Sequence, residues 1–461
     1  MPYKYFGTDG FRGEANKSLT ADQAYKVGRF LGFYFVEENR SKGLRSKPKF
    51  VIGKDTRRSS YMFEYVLSAG LVASGADVYM MHVVPTPAVA YITKIDDFDC
   101  GIMITASHNP YYDNGIKLFN RNGEKLDGAV IRFCESYLDG EVDIFGKKYK
   151  AVPYAQKAQI GKIVDYISGR NRYIAYLISL GIYSLKGVKI GLDCANGTVW
   201  NIAKSVFDSL GASTYVINAN PDGLNINKRA GSTHIEALQK FVISKGLDVG
   251  FAYDGDADRC ICVDEKGNIL NGDYVLYILA KYMKGRGELP SNTVVATIIS
   301  NSGLKLALNR LGIECVFTSV GDKNVYDCMM KNEYALGGEQ SGHIIFAKHG
   351  TTGDGILTSI KIIEAVLTEK KLISSLTNGF EPFPQVAKDI PVKDKKKILL
   401  NEEVITTRKS MEKIVGDEGK IIVRASGTEE IIRILVESKS FDICKYVANA
   451  LAEIIYRENS K

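Results

Sequence analysis

Two neighbouring residues, Ser107 and His108, lie between an apolar run and an Asn-Pro turn. The run at residues 101–106 is typical of a buried β-strand, and the turn follows at residues 109–110. A strand that ends in such a turn presents a reactive hydroxyl. The segment lacks the G-x-S-x-G pattern of a hydrolase nucleophile, so we favour a phosphoryl carrier at Ser107. The alternative is a turn in which both side chains only satisfy backbone hydrogen bonds.

A phosphoserine needs cationic partners, because the phosphate carries about 1.5 to 2 negative charges at neutral pH. His108, Lys117 and Arg259 are the candidates that the sequence offers. By itself, Lys117 is more typical of a solvated strand residue.

Asp254, Asp256 and Asp258 are spaced two residues apart. In an extended loop, positions i, i+2 and i+4 point to one side, so the three carboxylates can converge on one divalent cation. Residues 254–265 also match much of an EF-hand calcium loop. Against that alternative, Arg259 stands where the sharp turn needs glycine, and the flanking segments are typical of strands. The spacing therefore predicts a Mg²⁺ site, completed by a phosphate oxygen and water.

Two further loops complete a set of parts for moving a phosphoryl group on a sugar. The loop at residues 337–343 has glycines around polar groups suited to sugar hydroxyls. The loop that begins at residue 424 is suited to binding a phosphate, through backbone amides and the side chains of Arg424, Ser426, Thr428 and Arg433. For both loops, an ordinary structural turn is the alternative.

The composition bounds the class of protein. A chain of 461 residues exceeds what one core usually fills, which predicts three or four domains and a cleft between them. The sequence has 45% hydrophobic residues, and it contains neither an apolar run long enough to span a bilayer nor the apolar core of a signal peptide. These features predict a soluble, cytoplasmic protein. The eight scattered cysteines indicate thiols. The net charge of +7, without a long basic tract, favours a small anionic substrate over nucleic acid.

A pattern of strand, helix, glycine-containing break and strand recurs three times along the chain. Its strands are predicted at residues 50–55 and 77–82, at 188–193 and 214–217, and at 294–299 and 315–318. Each copy is typical of a βαβ unit with helices on both sheet faces. Each then leads to one polar loop, at Ser107, Asp254 or Glu339. Because ligands bind beyond the carboxyl ends of such strands, we expect the loops to share one cleft.

We predict an α/β protein of four domains around a central cleft, with boundaries at residues 1–155, 156–256, 257–373 and 374–461. The first three are repeated α/β domains with mixed, mainly parallel sheets. They carry the Ser107 loop, the aspartate loop at the end of the second domain, and the loop at residues 337–343. After residue 374 the pattern changes to a smaller α+β domain that carries the phosphate-binding loop.

The four loops, in this order along nearly the whole chain, resemble those of the α-D-phosphohexomutase family. Residues 6–16, residues 223–227 with 231–233, and Gln340 are most similar to the bacterial branch that acts on glucosamine phosphates. The resemblance implies a heart-like arrangement in which the last domain helps to close the cleft. Ala425 and Glu430 depart from the family pattern, which has prolines there, and predict a more flexible loop.

The resemblance also implies a role for each matching residue. Ser107 would be the phosphoserine, and Mg²⁺ would be held by Ser107, Asp254, Asp256 and Asp258. Transfer would be assisted by Arg12, His108, Lys117 and Arg259. The sugar would be recognised by Glu339, Ser341 and His343. The phosphate that is not reacting would be held by Arg424, Ser426, Gly427, Thr428 and Arg433.

The implied function is a Mg²⁺-dependent phosphoglucosamine-type mutase of the isomerase class, which moves phosphate between the 6- and 1-positions through a phosphoserine and a hexose 1,6-bisphosphate. Its product would lead toward UDP-N-acetylglucosamine and cell-wall precursors. One alternative is the same chemistry on mannose or glucose phosphates. Another is a non-catalytic phosphosugar-binding regulator, which the intact Ser107, aspartates and Lys117 disfavour. The expected partner is a small phosphosugar, without nucleic acid or membrane, and both a monomer and a homodimer stay open.

Overall fold

The computed structural model describes residues 4–7, 9–44, 46–141, 143–144, 147–148, 151–416, 418–426 and 430–460. These residues form four principal sheets that follow one another along the chain. Among the described residues, every helix is too short or too polar to cross a bilayer.

The first domain contains a seven-stranded sheet in the order β1-β2-β6-β5-β3-β4-β9, and β7 pairs with β8. Its elements are β1 (Phe6–Gly7), β2 (Gly10–Glu14), α1 (Ala21–Ser41), β3 (Lys49–Lys54), α2 (Arg58–Ala73), β4 (Asp77–Val83), α3 (Thr86–Ile95), β5 (Cys100–Ile104), β6 (Asp113–Asn120), α4 (Gly128–Leu138), β7 (Asp143–Ile144), β8 (Lys147–Lys148) and β9 (Ile163–Asp165). Helix α5 (Ile167–Ser179) leads into the second domain.

The second sheet has the order β11-β10-β12-β13-β14 and the third has the order β16-β15-β17-β18. The second domain comprises β10 (Lys189–Asp193), α6 (Ala203–Ser209), β11 (Ser213–Ile217), α7 (Glu236–Lys245), β12 (Val249–Tyr253), β13 (Cys260–Asp264) and β14 (Ile269–Leu270). The third comprises α8 (Gly272–Gly285), β15 (Thr293–Thr297), α9 (Ser302–Arg310), β16 (Glu314–Thr318), α10 (Asp322–Asn332), β17 (Leu336–Gly338), β18 (Ile344–Phe346), α11 (Gly355–Glu369) and α12 (Ile373–Leu376).

The fourth domain is the predicted α+β unit. Its three antiparallel strands have the order β19-β21-β20. Its elements are β19 (Gln385–Pro391), α13 (Lys395–Leu399), α14 (Glu402–Val415), β20 (Lys420–Ala425), β21 (Ile431–Glu437) and α15 (Phe441–Ser460).

The three predicted βαβ units are confirmed, and each belongs to a repeated four-stranded core. In each of the first three sheets, the first strand of the repeat lies between two parallel partners, and a fourth strand pairs antiparallel with the third. The loop between the third and fourth strands begins at the carboxyl end of a parallel strand, where ligands bind in such folds. The three polar loops predicted at Ser107, Asp254 and Glu339 all occupy this position.

Burial explains why the strands before these loops are apolar. Every residue of β5 and of β12 is buried, as expected for strands covered on both faces by helices. One large apolar cluster joins the first three domains, with Val89, Phe207 and Ile356 among its members, whereas the fourth domain has its own cluster around Ile434 and Leu451. The polar loops of the first three domains are therefore supported by one continuous apolar core.

The structure differs from the predicted organisation in two details. Strand β9 belongs to the first sheet and strands β13 and β14 belong to the second, so these sheets extend beyond the predicted boundaries at residues 155 and 256. Among the described strands, parallel pairs are in the majority only in the third sheet. Strand β13 extends the second sheet because the chain turns back after β12 and pairs antiparallel with it, whereas β9 extends the first sheet by pairing parallel with β4.

Candidate active site

Ser107 lies in the serine loop, residues 105–112, which connects β5 to β6. Its φ of 53° is in the left-handed region, which is uncommon for residues other than glycine. Its amide donates to Thr105 Oγ1 at 2.9 Å. Its carbonyl accepts from Asn227 Nδ2 at 2.8 Å and from Arg57 Nη2 at 2.9 Å. Hydrogen bonds from two domains therefore hold the backbone that presents the hydroxyl.

Arg57 is fully buried beneath this loop. Its guanidinium also donates to the carbonyl oxygens of Asn109, at 2.8 Å, and Pro110. Asp55 balances the charge by accepting from Arg57 Nε at 2.8 Å. The fork of N–H donors on one rigid group suits Arg57 to fixing several carbonyl oxygens at once.

The aspartate loop, residues 254–259 between β12 and β13, contacts the serine loop directly. Ser107 Oγ donates to Asp254 Oδ2 at 2.5 Å. Between the first two aspartates, Gly255 lies so close to the serine loop that a Cβ there would be 2.5 Å from the Ser107 carbonyl oxygen. Glycine is therefore required for this approach, and the predicted nucleophile and the predicted metal ligands meet.

The carboxylates of Asp254, Asp256 and Asp258 are buried, and they offer ligand atoms within 4.8 Å of one another. Lys117 Nζ, from β6, donates to Asp256 Oδ2 at 2.6 Å and to Asp258 Oδ2 at 3.0 Å. The Oδ1 atoms of Asp256 and Asp258 are buried without a hydrogen-bond partner among the described residues. Buried carboxylate oxygens without a partner are costly, and a hard cation would satisfy them. The cluster can therefore hold a metal ion.

The pKa values in this cluster follow from burial and from charges in contact. Burial, followed by the carboxylates of Asp258 and Asp256, raises the pKa of Asp254 well above its usual range. Burial acts in the same sense on Asp258 and is the largest single influence, but Lys117, His343 and Arg259 together outweigh it and hold that pKa well below its usual range. Burial opposes a charge on Lys117, yet Asp256 and Asp258 raise its pKa. Lys117 therefore stays an ammonium at neutral pH.

His108 is positioned beside the hydroxyl, with Nδ1 3.3 Å from Ser107 Oγ. Arg259 Nη1 donates to His108 Nδ1 at 3.0 Å, which assigns the imidazole proton to Nε2. Burial, followed by the charges of Arg259 and Arg12, lowers the pKa of His108 to about 4. The Nε atoms of Arg12 and Arg259 are buried without a hydrogen-bond partner among the described residues. The surroundings of Ser107 thus offer a neutral imidazole and two guanidinium groups suited to an anion.

The glutamate loop, residues 339–343 between β17 and β18, joins this cluster from the third domain. Glu339 Oε1 accepts from the Gly321 amide at 3.1 Å. His343 Nε2 accepts from the Gly353 amide at 2.8 Å, and His343 Nδ1 lies 3.8 Å from Asp258 Oδ1. Ser341 Oγ is buried without a partner within the described part of the chain. His343 therefore links the predicted sugar residues to the aspartate loop.

Gln340 was singled out by resemblance, and its side chain belongs to a structural network. Its Nε2 donates to Asp273 Oδ2 at 3.0 Å and to Gln385 Oε1 at 3.4 Å, which connects the glutamate loop to α8 and to the fourth domain. Gln385 in turn donates to Glu437 Oε2 at 2.6 Å. The amide nitrogen of Gln340 therefore contributes to the contact between the third and fourth domains.

Arg424 on β20 and Arg433 on β21 lie directly opposite each other. Like charges opposed in this way destabilise a strand pair, and an anion between them would relieve the repulsion. Burial, followed by the charge of Arg433, lowers the pKa of Arg424, whereas Glu339 acts in the opposite sense. Arg424 is therefore close enough to the glutamate loop for its charge to interact with that of Glu339.

The arginine loop, residues 426–430, connects these two strands. Ser426 is buried, and its amide donates to the Ile431 carbonyl at 3.0 Å. Gly427 and Thr428, both predicted to bind phosphate, lie outside the described residues. Glu430 pairs with Lys395 at 3.1 Å, and the greater flexibility inferred from Ala425 and Glu430 stays a prediction.

Several residues that build the site were missed by sequence reasoning. Asp55 and Arg57 follow the first strand of the first repeat, and that position at the carboxyl end of a parallel strand was the available signal. Thr86 lies at the same offset past the carboxyl end of β4, and it donates to Asp256 Oδ2. Lys125 and Asp322 join the first and third domains at 2.6 Å, a contact between distant segments that no local pattern indicates.

Family models cover most of the chain. Those for the phosphoglucomutase/phosphomannomutase α/β/α domains I, II and III match residues 3–140, 171–267 and 271–383, and the model for the C-terminal domain matches residues 389–454. The chain belongs to the phosphoglucomutase/phosphomannomutase family. This membership confirms the resemblance that the four motifs indicated.

Among curated members of the phosphoglucomutase/phosphomannomutase family, the chain is 55% identical to a phosphoglucosamine mutase of Lachnospira eligens, over 98% of both chains. It is 56% identical to the phosphoglucosamine mutase of Lachnoclostridium phytofermentans, over 97% of both.

Solved structures of the family share the whole fold. A family protein from Burkholderia thailandensis gives a TM-score of 0.79 at 21% identity, covering 98% of this chain and 97% of that one. The N-acetylphosphoglucosamine mutase of Aspergillus fumigatus, solved with GlcNAc-6P and magnesium, gives 0.68 at 16% identity, covering 99% and 96%.

Proposed function

We propose that the chain is a mutase that interconverts glucosamine 6-phosphate and glucosamine 1-phosphate. The relatives that are 55–56% identical over 97–98% of the chain are phosphoglucosamine mutases, which supports both the reaction class and the amino-sugar substrate. The observation that carries the mechanism is the 2.5 Å hydrogen bond from Ser107 Oγ to Asp254 Oδ2. This contact between a hydroxyl of the first domain and a carboxylate cluster of the second supports Ser107 as the nucleophile.

The chemistry is two phosphoryl transfers through a phosphorylated Ser107. In the first, the 1-hydroxyl oxygen of the 6-phosphosugar attacks phosphorus while the bond from phosphorus to Ser107 Oγ breaks. The hydroxyl proton is lost from the sugar and Ser107 regains one, so a 1,6-bisphosphate and a free serine result. After the bisphosphate turns over in the cleft, Ser107 Oγ takes the 6-phosphate by the reverse reaction.

The metal is proposed to be Mg²⁺, held by Asp254, Asp256, Asp258 and an oxygen on Ser107. Two carboxylate oxygens of this cluster have no hydrogen-bond partner among the described residues, and an all-oxygen set suits this ion. When bound, it would neutralise the negative charge that develops on the transferring phosphate.

The surrounding cations are proposed to stabilise the phosphate on Ser107. Three positively charged side chains are available. Lys117 donates to Asp256, and Arg259 donates to His108. Arg12 lies 3.8 Å from Asp9. His108 is neutral, so its Nε2–H can donate to a phosphate or sugar oxygen without adding a charge. Burial strengthens each of these contacts because water does not screen them.

The reaction requires a site with two ends, because the sugar presents first one phosphate and then the other to Ser107. We assign the distal phosphate to Arg424, Arg433, Ser426 and the amides of the arginine loop. Glu339, Ser341 and His343 would bind the ring hydroxyls in both orientations. The separate core of the fourth domain allows it to close over the cleft, which would protect phosphorylated Ser107 from water.

Replacing Arg424 with alanine should raise KM by about 10- to 100-fold with little change in kcat. The side chain would hold the remote phosphate equally in the ground and transition states, so its loss removes uniform binding. Steady-state kinetics with glucosamine 6-phosphate measure both constants. Arg408→Ala, which removes an exposed arginine paired with Glu412, is the matched control. A loss confined to kcat would place Arg424 at the reacting phosphate.

We expect kcat/KM for glucosamine 6-phosphate to exceed that for glucose or mannose 6-phosphate by at least about tenfold, or about 1.4 kcal/mol. The Glu339 carboxylate can accept hydrogen bonds from ring hydroxyls and attract a nearby ammonium. Competition assays with the purified protein measure the ratio, and Glu339→Gln should reduce it. Equal use of mannose 6-phosphate would keep the mutase mechanism and overturn the amino-sugar assignment.

A further inference from the structure

A second cavity, of about 560 Å³, lies between the first and second domains. Small-molecule sites commonly have volumes of about 300–1,000 Å³. Its lining includes Arg58, Tyr61, His82, Arg170, Trp200 and Asp222. None of the residues assigned above to phosphate transfer, metal binding or sugar binding lines it. The family reaction therefore leaves this cavity unexplained.

Two arginines give the cavity its charge. Arg58 begins α2 and Arg170 lies on α5. In the part of the chain that the structure describes, neither guanidinium makes a hydrogen bond or an ion pair, and the Nε atom of Arg170 is buried. A buried N–H without an acceptor is unfavourable until a ligand supplies one. Paired arginines bind phosphate oxygens particularly well, because each presents two parallel N–H donors.

Two exposed aromatic rings line the same space. Trp200, in the loop before α6, is 38% exposed and Tyr61 on α2 is 47% exposed. One face of Tyr61 is covered by Lys54, whose Nζ lies 4.2 Å from the ring centroid. Exposed aromatic side chains beside cationic groups are a common way to bind the planar base of a nucleotide.

Acidic groups at the cavity limit what it can bind. Asp222 Oδ1 accepts from the Leu224 amide at 2.7 Å, and the carboxylate can also accept from a hydroxyl. His82 lies between Glu64 Oε1, at 3.7 Å, and Asp165 Oδ1, at 3.5 Å. The Asp222 carboxylate in the lining would repel a purely polyanionic ligand. A ligand with one anionic end and hydroxyl groups fits better.

We propose that this cavity binds a nucleotide, that is, a phosphorylated small molecule with a planar base and ring hydroxyls. The phosphate would lie between Arg58 and Arg170, the base against Trp200, and a sugar hydroxyl on Asp222. The site is separate from the phosphosugar cleft, so both ligands bind at the same time.

Trp200 is the only tryptophan of the chain, so its fluorescence reports directly on this cavity. We expect titration of the full chain with UDP or ADP to give a saturable change with a Kd below about 1 mM. Pyrophosphate and uridine, which each lack half of the ligand, should bind at least about tenfold more weakly. Saturating glucosamine 6-phosphate should leave the nucleotide Kd unchanged.

Arg58→Gln and Arg170→Gln should each raise the nucleotide Kd by about tenfold or more. Arg121→Gln, at an exposed arginine paired with Asp99 in the same domain, is the matched control. Circular dichroism checks that each variant is folded, and calorimetric titration gives a second measurement of Kd. The proposal is overturned by the lack of a saturable change, by unchanged affinity in both arginine variants, or by displacement with glucosamine 6-phosphate. Equal affinity for pyrophosphate would overturn the assignment of a base to Trp200.

Discussion

Ser107→Ala should lower kcat by at least about a thousandfold, because the variant has no hydroxyl to carry the phosphate between the two sugar positions. Remaining groups of the site would still bind the sugar phosphate, so KM should change much less. The Ser107 hydroxyl donates a short hydrogen bond to Asp254, and this bond is lost in the variant. The backbone of the loop is held independently, because Arg57 and Asn227 donate to the carbonyl oxygen of residue 107. The fold should therefore be retained.

The measurement combines steady-state kinetics with intact mass. Wild-type protein should carry one added phosphate, and Ser107→Ala should carry none. Ser410→Ala, which removes an exposed hydroxyl on α14, is the matched control for both measurements. Turnover of Ser107→Ala within tenfold of wild type would exclude the covalent mechanism.

Removing divalent metal with a chelator should abolish turnover, and Mg²⁺ should restore it. Asp256→Asn should cost at least about a hundredfold in kcat/KM, because an isosteric amide keeps the size of the side chain and loses the charge that binds the metal. Asp208→Asn, at an exposed carboxylate paired with Lys204 on α6, is the matched control.

Thermal unfolding supplies a readout that does not depend on activity. Ions that bind only the folded state add about 2.7 kcal/mol at a concentration of 100 Kd. Mg²⁺ should therefore raise the Tm of wild type, and the increase should be much smaller in Asp256→Asn. Full activity after rigorous chelation, or an equal rise in Tm for the variant, would show that the aspartate cluster serves another purpose.

The amino-acid sequence by itself determined the three βαβ units. Their strands are short apolar runs, and β3, β10 and β15 begin within one residue of their predicted starts. Such runs are readable because a strand covered on both faces has no polar side, and the glycine-containing breaks mark where each helix ends. The serine, aspartate and glutamate loops were equally readable, since each repeat leads on to one polar loop, and in the structure these loops follow β5, β12 and β17.

Only the tertiary structure decided which groups meet. Ser107 and Asp254 are far apart in sequence, and their contact depends on how the first two domains pack, which no local pattern encodes. For the same reason, the hydrogen bonds by which Arg57 and Asn227 hold the serine loop emerged only from the fold. The hydrogen bonds of Gln340 to Asp273 and to Gln385 of the fourth domain likewise depend on how the domains pack. Local propensity selects the elements, whereas long-range burial and hydrogen bonding select their partners.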